Sequence, residues 1–141
     1  MSVFKFKKFS ITQEKSAMKV GTDGVLLGSW ASCEKANTIL DIGCGTGLIA
    51  LMLGQRNLIS NVTGIEIDKI ASQEAQLNIS NSDWEGRIEI KHISLQQFTP
   101  QLKFDLIVSN RLVSISIIGL AIAIVWICVF KLFIMLVVFK L

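Results

Sequence analysis

Through residues 1–110, short runs of β-branched and apolar residues alternate with segments whose apolar positions recur at helical spacing. The runs predict strands, and the amphipathic segments predict helices that each bury one face. The expected strands lie at 38–42, 61–68, 87–93 and 104–110, and the expected helices end near Trp30, Arg56 and Ile79. Because strands and helices alternate, we expect an α/β fold with a mostly parallel, doubly wound sheet and right-handed crossovers.

The fourth expected strand is nearly all apolar, which is typical of a central position in a parallel sheet. A strand order of 3-2-1-4 places it beside the first strand, so the carboxyl ends of these two strands flank the crevice where such folds bind ligands. Asn110 ends the fourth strand. We therefore expect its side chain to face any ligand held after the first strand.

A glycine-rich turn follows the first expected strand. Asp41 is followed by Gly43, Gly45 and Gly47, and an apolar helix begins at Leu48. Glycine lets a ligand approach the backbone, and a helix N-terminus completes the parts of a nucleotide site. The dinucleotide spacing would require glycine at position 48, and a carboxylate disfavours a nearby pyrophosphate. S-adenosylmethionine, which carries an ammonium and a sulfonium, fits better. The alternative is a turn that holds no ligand.

Two further features fit the same ligand. Glu66 ends the second strand 19 residues after Gly47, where an acid accepts hydrogen bonds from ribose hydroxyls. It could instead cap the next helix, although Asp68 is better placed for that. The turn Thr22-Asp23-Gly24 indicates a helix N-terminus, where N–H groups attract a ligand carboxylate. An ordinary capped helix would give the same pattern.

The N-terminal residues alternate aromatic and basic side chains. Phe4, Phe6 and Phe9 are separated by lysines, as in a half-buried strand or a hairpin arm. Such a pattern can bind RNA by stacking and phosphate contacts. It is also typical of an edge strand whose lysines discourage aggregation. The shortness of the basic run favours the structural interpretation.

Charge and cysteine content exclude several kinds of site. The chain carries 14 basic and 11 acidic residues, a net charge of +3. Arg111, Lys131 and Lys140 are the only charged residues after Asn110, so residues 1–110 are neutral overall. The basic balance is therefore no evidence for nucleic-acid binding. Three cysteines without a Cys-x-x-Cys pair, and a single histidine, predict neither disulfides nor a metal site.

The glycine turn resembles the first motif of class I S-adenosylmethionine-dependent methyltransferases, whose fold is Rossmann-like. The segment from Ala17 to Trp30 resembles the Ala-Met-Lys-Val-Gly-Thr-Asp-Gly signature of bacterial methyltransferases that modify valine tRNA. The likeness covers Phe4 to Asn110. It implies S-adenosylmethionine as the cofactor and tRNA as the partner of a monomeric, cytoplasmic enzyme. That enzyme would methylate the exocyclic amine of an adenine beside the anticodon.

The resemblance also implies which residues form the site. The cofactor-binding residues would be Lys19, Thr22, Asp23, Asp41, Gly43, Gly45, Gly47, Glu66, Ser94 and Leu95. Lys19 and the turn after it would lie near the methionine end of the cofactor, with Asp41 and the glycines at its amino-acid part. Glu66 would bind the ribose, and Ser94 and Leu95 would lie near the adenine ring. Asn110 would be the catalytic residue.

The catalytic motif of this family is Asn-Pro-Pro-aromatic, after the fourth strand. The asparagine and a proline carbonyl accept the two hydrogens of the amine, and the aromatic ring stacks on the flipped base. Here Asn110 is followed by Arg111, Leu112 and Val113. Without the prolines and the ring, we expect methyl transfer to be very weak or absent. The alternative is a remnant that binds S-adenosylmethionine without catalysis.

Residues 111–141 differ in character from the rest of the chain. Residues 112–130 contain no charged side chain, and these 19 residues are enough for a membrane helix. Of the 31 residues after Asn110, 21 are Phe, Leu, Ile, Met or Val, whose codons share a central U. This composition favours a segment read out of frame. The alternatives are a membrane anchor within 112–139 or a buried element that completes the sheet.

The sequence therefore predicts two parts. Residues 1–110 would form a cofactor-binding domain whose sheet is truncated after the fourth strand. Residues 111–141 would form an apolar tail that promotes aggregation or non-specific membrane association. If the tail associates with a membrane, the protein would be a membrane-tethered α/β protein rather than a cytoplasmic one.

Overall fold

The computed structural model describes residues 2–110, together with the backbone of two short strands at 125–126 and 137–138. In chain order, the elements are β1 (Val3–Lys5), β2 (Ser10–Thr12), α1 (Thr22–Trp30), β3 (Thr38–Ile42), α2 (Leu48–Arg56), β4 (Asn61–Glu66), α3 (Lys69–Ser80), a 3₁₀ turn (Glu85–Arg87), β5 (Ile88–His92), β6 (Leu106–Val108), β7 (Val125–Trp126) and β8 (Val137–Val138). β7 pairs with β8 in antiparallel orientation. The three interpretations of the tail concern residues outside the described ones and stay predictions.

Four strands form one parallel sheet in the order β5-β4-β3-β6. This confirms the predicted order, in which the first strand of the sheet lies between the second and the fourth. Asp41 of β3 pairs in register with Gly64 of β4 and with Val108 of β6. The turns that leave these strands therefore meet at one edge of the sheet, and that edge carries the candidate site.

The strands are shorter than predicted because residues at their ends make other hydrogen bonds. β4 ends before Asp68, which caps α3 by accepting a hydrogen bond from the Ala71 N–H at 2.7 Å. The capping role predicted for Asp68 is thus confirmed. β6 ends before Ser109, whose Oγ donates to the Ile42 carbonyl at 3.0 Å. This bond ties the end of β6 to the end of β3.

The main hydrophobic core lies between the sheet and the three helices. Leu27, Leu51 and Ala75, one from each helix, share this core with Ile39 of β3. The other face of the sheet carries a smaller cluster around Ile65, covered within the described chain by side chains of the segment 93–104. Among residues 2–110 the helices therefore cover one face. No helix in that range is long and apolar enough to span a bilayer.

The N-terminal residues form the predicted hairpin, with β1 antiparallel to β2. Phe9 is buried in the main core, and its ring packs edge-on against Trp84 with centroids 5.9 Å apart. Asn78 of α3 holds the hairpin in place. Its Oδ1 accepts a hydrogen bond from the Thr12 N–H at 2.8 Å, and its Nδ2 donates to the Thr12 carbonyl at 3.0 Å. The hairpin is therefore an integral part of the core.

Candidate functional site

The turn between β3 and α2 is a left-handed glycine loop. Gly43, Gly45 and Gly47 have φ values of 69°, 56° and 85°, which residues with a Cβ rarely adopt. The loop is held to the neighbouring strand because the Gly43 and Cys44 N–H groups both donate to the Ile65 carbonyl, at 2.9 and 3.1 Å. A Cβ built on Gly45 would meet nothing within 4 Å. The loop therefore opens onto free space at its middle glycine.

A pocket lies in front of this loop. Its wall is formed by three parts of the chain: the segment 18–24, the loop with the start of α2, and Asn110. Five predicted site residues line it, namely Lys19, Asp23, Gly43, Gly45 and Asn110. The pocket lies where β3 and β6 end, which is the crevice that the predicted strand order indicated.

Helix α1 starts within the predicted turn. It begins at Thr22, and the N-cap is Gly21, which has extended backbone and no capping side chain. Thr22 is exposed and does not line the pocket. Gly24 faces α2 instead, and a Cβ there would lie 3.2 Å from Leu48 Cδ2. The first turn of α1 thus packs against the first turn of α2.

A hydrogen bond joins the two sides of the pocket. Asn110 Nδ2 donates to Asp23 Oδ2 at 2.9 Å, across 87 residues of sequence. Since a carboxylate only accepts hydrogen bonds, this partner fixes which end of the amide faces Asp23. The Oδ1 atom of Asn110 therefore faces away from Asp23, where it can accept a hydrogen bond.

We expect this bond to couple the two residues energetically. Asp23→Ala and Asn110→Ala should each lower the free energy of unfolding by about 1 to 2 kcal/mol, because a charge-assisted bond is lost. The double variant should lose little more than either single variant, since the same bond is removed. Denaturant unfolding of the four proteins measures the coupling. Additive losses would show that the bond does not contribute.

Asp41 lies behind the glycine loop and not in the pocket wall. Its side chain is 0% exposed, and neither carboxylate oxygen has a hydrogen-bond partner. Burial raises the pKa of Asp41 to about 7; the nearby Ala50 amide opposes this rise, and the charge of Glu66 adds to it. Asp41 does not line the pocket, and its contact with a ligand stays a prediction.

Glu66 also lies beneath the loop, where it is 1% exposed. Its Oε2 accepts a hydrogen bond from the Gly45 N–H at 2.8 Å, and its Oε1 accepts one from the Asp68 N–H at 3.0 Å. The carboxylate thus joins the end of β4 to the middle of the glycine loop. Glu66 supports the loop in this structure and does not line the pocket.

Ser94 and Leu95 lie beyond the end of β5, outside the pocket. Ser94 Oγ donates to Gln97 Oε1 at 3.1 Å, and Leu95 packs into the smaller core cluster. The Ile93 N–H donates to the Glu66 carbonyl at 3.0 Å, which keeps this segment beside the end of β4. The segment that carries both residues is therefore attached to the end of β4.

Sequence reasoning missed Glu74, which holds the segment that leads into the pocket wall. Glu74 of α3 accepts hydrogen bonds from three consecutive backbone N–H groups, those of Glu14, Lys15 and Ser16, at 2.8, 2.7 and 3.2 Å. Burial alone would raise the pKa of Glu74, but these donors and the Ser16 hydroxyl outweigh it and lower that pKa. The sequence offers only a weak indication, a glutamate on the buried face of α3, which also carries Ser72 and Asn78.

The segment held by Glu74 leads directly into the pocket wall. We call residues 13–20 the strap. Gln13 Oε1 accepts a hydrogen bond from the Val20 N–H at 2.6 Å, and Lys19 Nζ donates to the carbonyls of Gln13 and Glu14. The strap is thus closed on itself and anchored on α3, which fixes the position of Lys19.

The chain was compared with known proteins. The model of the methyltransferase small domain matches residues 16–111. A tRNA1(Val) (adenine(37)-N6)-methyltransferase of Haemophilus influenzae is 51% identical over 113 residues, which are 78% of this chain and 49% of that protein. One of Bacteroides thetaiotaomicron is 52% identical over 108 residues, 76% of this chain and 46% of that protein. The chain spans about half the length of these curated relatives.

Solved structures share the fold. The P. horikoshii TYW2 structure in complex with MeSAdo aligns with a TM-score of 0.58 at 16% identity, over 70% of this chain and 38% of that one. An S-adenosylmethionine-dependent methyltransferase from Thiobacillus denitrificans aligns with a TM-score of 0.52 at 20% identity, over 61% and 34%. These likenesses confirm the Rossmann-like α/β fold. Together with the match over residues 16–111, they lead to one conclusion: the chain belongs to the methyltransferase small domain family.

Proposed function

We propose that this chain binds S-adenosylmethionine in the pocket before the glycine loop, as part of a tRNA adenine-N6 methyltransferase. The observation that carries the proposal is the meeting of the open glycine loop, the first turn of α1 and Asn110 around one pocket. Relatives about 50% identical carry the name of that activity, which supports the choice of substrate.

The residues present fit this cofactor. The space at Gly45, where a Cβ would meet nothing within 4 Å, accommodates a group lying against the loop backbone. Glu66 places a buried carboxylate behind the loop, and Asp41, whose pKa is about 7, adds a second negative charge once it ionises, so the site favours a cationic ligand. The first turn of α1 and Lys19 are suited to the ligand's carboxylate. We assign the ribose to Glu66 and the adenine side to Ser94 and Leu95, which follow the next strand. For Glu66 this requires it to exchange its bond to the Gly45 N–H.

When bound, the cofactor would supply a methyl group on a sulfonium, which a nitrogen nucleophile attacks while the thioether leaves as the neutral demethylated product. The Oδ1 of Asn110 would accept a hydrogen bond from the exocyclic amine of adenine and so orient the nitrogen lone pair. Asp23 acts as a positioning residue, since it holds the NH₂ end of the Asn110 amide at 2.9 Å. No strong base is needed for this role.

The residues after Asn110 limit the chemistry. Arg111, Leu112 and Val113 stand where the family motif has two prolines and an aromatic ring. We therefore propose that cofactor binding is retained and methyl transfer is very weak or absent. The same break supports dividing the chain into a 1–110 domain and a 111–141 tail, and the family match likewise ends at 111. A non-catalytic binding protein is the second candidate function, favoured by this break alone.

Calorimetry with S-adenosylhomocysteine tests cofactor binding. We expect the folded chain to bind it, and Gly45→Val to weaken binding at least tenfold, because the side chain enters the space before the loop. Gly86→Val is the control for an added side chain, since a Cβ there also meets nothing within 4 Å and lies outside the pocket. Gly45→Ala controls for backbone strain, because it forces a residue with a Cβ into the same φ of 56° with a smaller side chain, and it should weaken binding less than Gly45→Val. Absence of binding by folded wild-type protein, or equal loss in Gly45→Val and Gly86→Val, would contradict the proposed site.

Methyl transfer is measured separately, with labelled S-adenosylmethionine and unmodified valine tRNA. Very low or no incorporation, with cofactor binding intact, is the expected result. Restoring Pro-Pro-Phe at positions 111–113 supplies the positive comparison. Incorporation by the wild-type chain at the rate of a full-length relative would refute the proposed impairment.

A further inference from the structure

The N-terminal hairpin carries a second groove. We call it the hairpin groove; its lining residues are Phe6, Lys7, Lys8, Phe9, Ser10, Thr12, Asn78 and Asn81. No lining residue is acidic, and within the described chain no residue forms an ion pair with Lys7 or Lys8. The groove therefore presents two free positive charges beside polar hydroxyl and amide groups.

The position of these lysines argues against a purely protective role. The Phe6 N–H donates to the Phe9 carbonyl at 2.9 Å, so Lys7 and Lys8 form the middle of the turn. Lysines that discourage edge-to-edge pairing lie along a strand, next to its open backbone groups. A turn has no such row of groups to protect. Lys7 and Lys8 are therefore placed to contact a ligand.

An exposed aromatic ring accompanies the charges. Phe4 is 44% exposed and packs against Phe6, with ring centroids 4.9 Å apart. Phe6 in turn stacks on the buried Phe9 at 4.6 Å, with an angle of 18° between the rings. The three rings thus pack in series from the core to the surface, and the contact with Phe6 holds the ring of Phe4 in place. Exposed rings beside lysines are the usual platform for unpaired bases.

The hairpin groove is connected to the pocket through a single side chain. Asn78 lines the groove, and its Nδ2 donates to the carbonyl of Thr46, which lines the pocket, at 2.9 Å. The same Nδ2 donates to the Thr12 carbonyl in the groove. Asn78, which is 2% exposed, therefore ties the wall of the groove to the wall of the pocket.

From these observations we infer that the hairpin groove is an RNA-binding surface, in which Lys7 and Lys8 contact phosphates of the substrate and Phe4 stacks on an unpaired base. The inference rests on the proposed function, because it extends the nucleic acid outward from the base in the pocket. Polar lining and positive charge fit a sugar-phosphate backbone better than an apolar peptide or a lipid chain.

The test compares two pairs of charge reversals in the full chain. The first variant carries Lys7→Glu and Lys8→Glu; the control carries Lys35→Glu and Lys103→Glu, which are exposed lysines just before β3 and β6 and line neither the hairpin groove nor the pocket. Both variants change the net charge equally. Fluorescence anisotropy with an unmodified valine tRNA anticodon stem-loop is measured over a range of salt concentrations, and circular dichroism checks that each variant is folded.

We expect the first variant to bind the RNA at least tenfold more weakly and to reduce the salt slope by about 1.4 to 1.8, the value for two lost phosphate contacts. The control should change the affinity less than twofold. Equal weakening in both variants, no weakening in the first, or no RNA binding by the wild type would each overturn the inference.

Titration of the same samples with S-adenosylhomocysteine separates this inference from the proposed function. Cofactor binding without a dependence of RNA affinity on Lys7 and Lys8 refutes the hairpin groove alone. RNA binding that depends on these lysines, without cofactor binding, refutes the proposed function and leaves the groove as an RNA site. Phe4→Leu provides a second variant, which should weaken RNA binding severalfold without altering the salt slope.

Discussion

Raising the pH from about 5 to about 8 should lower the free energy of unfolding of this chain by about 3 kcal/mol, through Asp41 alone. The pKa of Asp41 is raised from 3.8 to about 7 in the folded chain, chiefly by burial without a hydrogen-bond partner. Between these two values the folded chain holds a proton that the unfolded chain has lost. Stability therefore falls as the pH rises through this window, and the loss is complete above about pH 7.

Asp41→Asn is the decisive variant, because the amide has the same shape and does not titrate. Its free energy of unfolding should be nearly constant from about pH 5 to about pH 8 and should exceed that of the wild type at the upper end. Asp83→Asn, in an exposed turn, is the matched control and should keep the wild-type slope. Urea unfolding at four or five pH values gives the measurement. A slope that persists in Asp41→Asn would assign it to another group.

Other carboxylates act in a different pH range. The pKa of Asp105 is lowered by hydrogen bonds from the N–H groups of Asn37 and Thr38. A lowered pKa contributes stability that is present above the unfolded value and lost as the pH falls below it. This contribution changes only in acid, below about pH 4. The loss between pH 5 and 8 is therefore separable from it.

The sequence predicted the framework of the site well. The strand order 3-2-1-4, the helix after the glycines and the cap at Asp68 follow from local patterns with few alternatives, and all three are confirmed. The meeting of the glycine loop with Asn110 also follows from topology, since parallel strands end at a common edge. These features depend on periodicity and chain order, which a sequence displays directly.

The positions of individual side chains were harder to predict. Strand alternation points Asp41 toward the helices, where α2 buries it, and no motif indicates this depth. The helix start at Thr22 follows the predicted turn, but the N-cap is Gly21, which offers no side chain for capping. Glu74 was missed because its partners are backbone N–H groups 58 to 60 residues away, which have no sequence signature. Long-range contacts of this kind appear only after folding.

Glu74→Ala should affect both stability and cofactor binding. The carboxylate accepts three backbone N–H groups of the strap, so its removal leaves those donors unpaired and should cost about 3 kcal/mol in the free energy of unfolding. The strap then loses its anchor on α3, and Lys19 is no longer fixed at the pocket wall. We expect the affinity for S-adenosylhomocysteine to fall at least tenfold.

Glu85→Ala is the control for removing an exposed carboxylate and should change neither quantity appreciably. Glu74→Gln should have a free energy of unfolding and a ligand affinity between those of the wild type and Glu74→Ala. Its amide oxygen can still accept hydrogen bonds from two N–H groups, while its NH₂ group repels the third. Denaturant unfolding and calorimetry are performed on the same preparations. If Glu74→Ala loses stability and binds the ligand as tightly as the wild type, the strap does not shape the pocket. A parallel loss of stability and affinity across the three variants would instead show that one buried carboxylate on α3 holds the wall on which ligand binding depends.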